Sequence, residues 1–448
     1  MTSIDMQPET LPLSSISLYR AIWRWHFFAG LLVIPFMLNL AITGGLYLFK
    51  DEINDTFFAY RNVVADSATN LAPQDIANAA LAAVPGSSLT SYREAPDSTH
   101  SALVTVATDA GNTLVYVNPH DGKVLGTVGS KEEFNWVVKR IHSLDYFGKV
   151  PNRLIEIVGG FALVLVVTGI YLWWPRKQTG GVLSVRGNPS RRVFWRDLHA
   201  VTGAIAGLLI FFLAATGMPW SGYWGGNVNA YLTSNGLGYP AELWDNVPTS
   251  TKVTQDVLSK TAWAMETAPV PSSTAPVDPN APAPSIGLNT AVALAKKFGM
   301  VPGFEMAMPG DETGVYTAAI YPDNLDNERT IHIDQYSGQP LVDSAYPQYP
   351  VLGRTIEWGI NIHQGQEWGV LNQYAMLLTC IAIILSCVTA VVMWWKRRPE
   401  GRLGVPPAPP SKGVYLVLWI IAALFIVAMI AFDQIAVRFV PPFKKFFA

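Results

Sequence analysis

The chain has 448 residues, of which 50% are hydrophobic and only 14% charged, a balance that excludes a purely soluble protein and calls for membrane spans. A formal net charge of -2 leaves no basic footprint and argues against a nucleic-acid partner. The two cysteines, Cys380 and Cys387, lie seven apart on one predicted helix. That is about 10 Å of rise, too far for a disulfide, so they read as packing residues.

Residues 1–16 are polar and too weakly basic for a removed signal peptide, and are expected to form a cytoplasmic tail. Five apolar stretches then reach spanning length, at 17–49, 153–174, 198–220, 372–395 and 414–433. The connection 175–197 carries Arg176, Lys177, Arg186, Arg191, Arg192 and Arg196 against Asp197 alone; 396–413 carries Lys396, Arg397, Arg398, Arg402 and Lys412 against Glu400. Short basic loops stay in the cytoplasm, which sends the long segments 50–152 and 221–371 to the outside. The tail 434–448, with Arg438, Lys444 and Lys445, falls outside and departs from that rule. Tryptophans such as Trp23, Trp174, Trp220 and Trp395 mark the span ends, as an interfacial belt requires.

The segment 50–152 predicts a helix over 74–84, then alternating strands in SALVTVAT and TLVYVNPHDGKVLGTV, with Asp121-Gly122 as a hairpin turn. The segment 221–371 predicts a helix over 288–298, a strand over 314–320 and a hairpin in TIHIDQYSGQPLVD, with Ser337-Gly338 at the equivalent turn. Each reads as a small α+β module. The Pro-, Ala- and Ser-rich run 268–285 cannot form a core and is expected to be a flexible linker.

The spans repeat as well. His26 is followed four residues on by Gly30 and seventeen on by Thr43-Gly44, and His199 stands at the same offsets from Gly203 and Thr216-Gly217. His142 is followed by Phe147-Gly148 and, twenty-six residues on, by Thr168; His363 is followed by Trp368-Gly369 and, twenty-six on, by Thr389. The predicted fold is therefore a membrane α-helical bundle: a two-span unit duplicated at 17–180 and 193–403, plus a fifth span, with two outward α+β modules.

Pseudo-symmetric packing of the halves sets His26 against His199 and His142 against His363. Two neutral imidazoles on opposite faces of a porphyrin make a six-coordinate haem iron suited to electron transfer. Gly30 and Gly203, with Gly44, Gly45, Gly159, Gly160 and Gly217 deeper, remove side chains where a flat macrocycle lies against helix backbone. Arg24, Arg196 and Arg153 are candidates to pair with haem propionates. No Cys-x-x-Cys-His occurs, which excludes covalently attached c-type haem. The competing readings are interfacial anchors for single histidines, or a catalytic metal site, for which only Glu156 and Asp433 are at hand as span carboxylates. His100 and His120 fall in polar loops, His332 takes the strand position of Tyr116, and Met306 and Met308 read as packing rather than copper ligands.

The combination of WRWHFFAG and LAITGGLYLFKDEI in the first span, VYVNPHDGKVLG and TIHIDQYSGQPL as hairpins, IHSLDYFG, WRDLHAVTG, TGIYLWWPR and VVMWWKRR resembles the PepSY-associated transmembrane proteins over 17–403. The resemblance implies a bacterial inner-membrane protein with a cytoplasmic N-terminus and periplasmic PepSY-like modules. It also implies two haem b groups held by His26, His199, His142 and His363, and electron delivery to a ferric siderophore in the periplasm. The short inner loops hold no dinucleotide or flavin fingerprint, so the expected donor is a membrane quinol or a cytoplasmic flavoprotein. Reduction to Fe(II) weakens hard-oxygen ligation and releases the metal. Segment 221–371 carries fifteen acidic against six basic residues, which favours a neutral or cationic ferric complex of hydroxamate type. Two other classes of function remain: a membrane-anchored sensor or protease regulator without redox activity, and a siderophore or metal transporter, for which only Pro35 and Asn39 interrupt a span.

Overall fold

The computed structural model describes residues 13–176, 180–275 and 284–408. The expected fifth span at 414–433, the tail 434–448 and residues 1–12 lie outside them. Among the described residues, four helices are long and apolar enough to cross a membrane: Leu18–Leu48, Lys149–Trp173, Arg192–Trp220 and Val370–Arg397. Helices are forced here because hydrocarbon offers no partner to a backbone N–H or C=O. They match the expected spans 17–49, 153–174, 198–220 and 372–395, and the protein is a multi-pass membrane protein. Their apolar residues on the outer surface, including Leu32, Ile205, Leu208 and Leu378, are the side chains that meet lipid.

The chain divides into two compact units. The helical unit takes residues 13–42, 150–218 and 377–408 of the described chain. Ala41, Ala206, Ile210 and Ile383 form its core together with Cys380 and Cys387, both free and buried, so the cysteines do pack. The duplication reappears in hydrogen bonds. Trp173 Nε1 donates to Val182 O at 2.8 Å, and Trp394 Nε1 donates to Leu403 O, also nine residues on, at 2.8 Å.

The sheet unit, Thr43–Lys149 and Pro219–Met376, joins the strands of the two expected α+β modules into one sheet. Strands β1 (Ser88–Arg93), β2 (Ala102–Thr108), β3 (Gly111–Val117) and β4 (Val124–Gly129) form one antiparallel meander. In the second half, β5 (Thr249–Val253) and β6 (Pro269–Pro271) pair with each other, while β7 (Glu305–Ala307), β8 (Val315–Ile320), β9 (Arg329–Asp334) and β10 (Pro340–Ala345) form the second meander. The meanders join where β1 pairs antiparallel with β7, Tyr92 opposite Met306, giving one eight-stranded sheet in the order β10-β9-β8-β7-β1-β2-β3-β4. Each first strand otherwise presents an open edge, and pairing the two removes both liabilities at once. Arg93 holds Glu305 at 3.0 Å across this join, and Ser91 Oγ donates to Glu305 Oε1 at 2.8 Å.

Helices Pro73–Ala83 and Leu288–Lys297 stand where helices are predicted, and bury Ile76, Ala77 and Ala80, and Leu288, Ala291, Val292 and Ala295, in one core. The sheet contributes Val104, Val106, Val115, Ile331, Ile333 and Met306 to it, which makes Met306 a packing residue as expected. Gly122 and Gly338 take the turn positions at φ +73° and +71°, conformations that side-chain-bearing residues rarely adopt.

The predicted linker 268–285 is too broad. Ala268 belongs to a second core with Trp244, Met265, Val342 and Tyr349, and Pro269–Pro271 is strand β6. Small apolar residues here pack against Trp244 in a layer that covers the opposite face of the second meander. That layer explains why RTIHID in β9 is buried at five consecutive positions despite its polar alternation. Residues 276–283 of the run lie outside the described residues.

Glu357 is fully buried beside this layer, its Oε1 accepting from Ala264 N at 2.7 Å and its Oε2 from the Tyr321 hydroxyl at 3.2 Å. Burial pushes its pKa up to about 7 from 4.5. The unfolded chain ionises this carboxyl from pH 4.5 while the fold keeps it protonated, so stability falls as pH rises from about 4.5 to 7 and is level above. Glu357→Gln is expected to raise the apparent melting temperature at pH 8 by about 3 °C or more, with the gain gone by pH 4. Thermal scans at the two pH values decide; an equal shift at both contradicts the ionisation origin.

Candidate functional site

The helical unit brings His26 and His199 together, with ring centroids 6.3 Å apart and planes crossing at 83°. Two imidazoles bound through Nε2 to opposite sides of one metal, with metal–nitrogen bonds of about 2.0–2.1 Å, place their ring centres roughly 6 Å apart. The spacing therefore suits a shared axial metal.

Hydrogen bonds select the tautomer such a role needs. His199 Nδ1 lies 3.0 Å from the backbone oxygen of Ser386 and 3.1 Å from Thr389 Oγ1. A carbonyl oxygen only accepts, so Nδ1 carries the proton and Nε2 the lone pair. His26 Nδ1 lies 2.9 Å from Thr168 Oγ1, whose own hydroxyl donates to Val164 O at 2.7 Å. Thr168 therefore accepts from Nδ1–H, and His26 also presents a bare Nε2. Each histidine is held by the threonine of the second span in its own half, the pair of threonines that stand at matching offsets in the sequence. Such outer partners orient a metal-bound imidazole and raise its basicity.

A cavity of about 480 Å³ opens around the pair, lined by Trp23, Gly30, Gly203 and Arg397 among others. The volume lies within the roughly 300–1,000 Å³ common for cofactor sites. A side chain at Gly203 would meet nothing within 4 Å, so this glycine fronts open space as expected. Gly159, by contrast, packs against Met218, where an added Cβ would lie 3.1 Å from the sulfur. Gly169 lies beside His26 on the second span. A Cβ there would stand 3.3 Å from His26 Cε1, so the glycine lets the ring approach the second span closely.

The proposed propionate partners redistribute. Arg196 does line the cavity, but its Nε donates to Asp197 Oδ1 at 2.9 Å. Arg24 Nη1 donates to Pro406 O at 2.6 Å, and Arg153 is exposed on the second span; neither lines the cavity. Arg192 and Arg397 do. Arg397 lies 5.3 Å from the Trp23 ring and 4.9 Å from Phe27, and its Nε and Nη2 are buried with no hydrogen-bond partner. A buried guanidinium with idle donors at the rim of a cavity is what a carboxylate would satisfy.

The sheet unit holds the other two histidines. His142 ends the helix Phe134–His142, and its Nδ1 lies 2.9 Å from Thr43 Oγ1, again a threonine of its own half. His363 ends the helix Val351–His363 and sets its ring edge-on to Trp220 at 6.1 Å. Lys139, one turn before His142, lies 6.0 Å from the same Trp220 ring.

The remaining histidines are structural. His100 ion-pairs with Asp97 and Asp55, and His120 bonds the backbone oxygens of Thr69 and Ser98. His332 is fully buried against Thr317 Oγ1 at 2.9 Å, and burial pushes its pKa down to about 3. Among the described residues, no group of three or more His, Cys, Asp or Glu is placed to hold a bare metal ion. A metal between His26 and His199 would take its other donors from a macrocycle, and the cavity and Arg397 fit one.

No curated protein matches the chain. The pattern of one family matches residues 23–397, from within the first span to the end of the fourth. The chain belongs to that family, the PepSY-associated TM region.

Proposed function

We propose that the protein is a dihaem b reductase of the bacterial inner membrane, taking electrons from a quinol or a cytoplasmic flavoprotein and delivering them to Fe(III)-siderophore in the periplasm, which releases Fe(II). The observation that carries this function is the His26–His199 pair, two imidazoles of matching tautomer at the spacing of axial ligands. A haem b held by His26 and His199 would supply reversible one-electron transfer. Thr168, Thr389 and the Ser386 carbonyl hold both Nδ1 protons and leave both Nε2 lone pairs free for a metal. Val33, Ile34, Met37 and Ile383 line the cavity and keep water out, and Arg397 offers its idle donors to a propionate. His142 and His363 are assigned to the second haem on their equivalent places in the repeat.

A membrane-anchored sensor has no use for two imidazoles of matching tautomer at this spacing. The test is anaerobic mixing of dithionite-reduced, desalted protein with a ferric hydroxamate chelate and a chromogenic Fe(II) trap. Reoxidation of the protein with matching Fe(II) is the expected result. Reoxidation by an artificial acceptor but not by any ferric chelate contradicts the proposed substrate.

A further inference from the structure

The excess of carboxylates in 221–371 does not describe the charge beside His142 and His363. Lys139 and Lys260 both keep accessible side chains while protein surrounds them closely enough to disfavour their charge. Lys260 sits 4.5 Å from the Tyr321 ring, and Lys139 sits 6.0 Å from Trp220, the ring that meets His363. Lys260 is also within electrostatic reach of Lys139, Lys50 and Arg93. Lys50 and Arg93 have counter-ions in Asp51 at 2.9 Å and Glu305 at 3.0 Å. Lys139 and Lys260 are in no ion pair among the described residues. Burial pushes the pKa of Lys260 down to about 7, and its basic neighbours push the same way.

The neighbouring carboxylates do not cancel this charge. Burial pushes Glu266, which faces Lys139, up to about 7, and holds Glu328 well above the usual carboxylate range. Other acids of the segment are engaged elsewhere: Asp343 holds Arg329, and Asp334 caps the turn at Ser337. The result is two lysines without counter-ions, each set over an aromatic ring, one of them on the helix that ends in His142.

We propose that Lys139 and Lys260, flanked by Trp220 and Tyr321, bind the ferric substrate as an anion: a chelate of catecholate or carboxylate type that keeps net negative charge around its iron. This rests on the reductase function above and replaces the neutral or cationic hydroxamate expected from the summed charge. An anion brings the counter-charge that the two lysines lack.

Gallium(III) chelates are not reduced under these conditions, so they report binding apart from electron transfer. Isothermal titration of the full-length protein with the trianionic gallium complex of a hexadentate tris-catecholamide, and with a neutral gallium tris-hydroxamate, is the test. Lys139→Gln with Lys260→Gln is expected to weaken the anionic complex by about tenfold or more, as loss of charge-assisted contacts does. The double Arg variant is expected to retain binding. Lys252→Gln, whose partner is Asp311, is expected to change nothing. Equal affinity for the neutral complex, or a double Gln variant that binds as the parent does, overturns the proposal. Tight, lysine-dependent gallium binding with no reduction of the iron(III) counterpart leaves the anion site standing and removes the reductase function.

Discussion

His199→Ala and His26→Ala, purified as full-length proteins, are each expected to lose the haem of the helical unit and about half of the total low-spin absorbance, since an axial imidazole is a principal bond to the iron. Neither neighbour replaces the missing ligand: Ser386 and Thr389 offer only oxygens to His199, and Thr168 only a hydroxyl to His26. Thr168→Val removes only the acceptor of Nδ1–H, and is expected to lower haem affinity by about 10- to 100-fold, as loss of an outer partner does. Haem content per chain after gel filtration in detergent checks both. Full haem occupancy in His26→Ala contradicts the pairing.

Asp197→Ala is expected to cause the largest loss of stability. The carboxylate is 1% exposed and accepts from Arg186 Nε at 2.8 Å, Arg186 N at 3.2 Å and Arg196 Nε at 2.9 Å. Removing one partner of a buried ion pair costs about 3–5 kcal/mol. Both arginine side chains are close to half exposed, so water screens part of this, and about 2–3 kcal/mol is the expected cost. That corresponds to a fall of roughly 5–10 °C in apparent melting temperature. Because Asp197 stands two residues before His199, haem retention on dilution is expected to fall with it. Asp197→Asn, which keeps an acceptor for Arg186 N, is expected to lose less. An unchanged melting temperature in the alanine variant contradicts the anchoring role.

Much of this architecture is legible in the amino-acid order because it is duplicated. The offset of twenty-six residues that relates His142 to Thr168 and His363 to Thr389 picked out two threonines, and in the fold those threonines hold His26 and His199. Spans, helices and hairpin turns are local features of periodicity and turn chemistry, and they fall where predicted. The join between β1 and β7 is not local: Ser91 and Glu305 are 214 residues apart, and nothing in either strand announces its partner. Arg397 was hidden inside Lys396-Arg397-Arg398, where one reads a topogenic charge; only the helix rotation shows that it faces Trp23 and Phe27. The layer over the second meander was missed for a related reason. Proline- and alanine-rich sequence reads as linker, yet Val270 and Ala268 are buried once Trp244 covers them. Lys139 and Lys260 are separated by most of the repeat, and summed charge conceals their convergence.

The central claim is that His26 and His199 hold a haem. The most direct measurement is the absorption spectrum of the detergent-purified protein, oxidised and then dithionite-reduced, with a pyridine haemochrome count per chain. Two b-type haems per chain with low-spin bands is the predicted result. A colourless protein, after expression with ample iron and haem precursor, contradicts it.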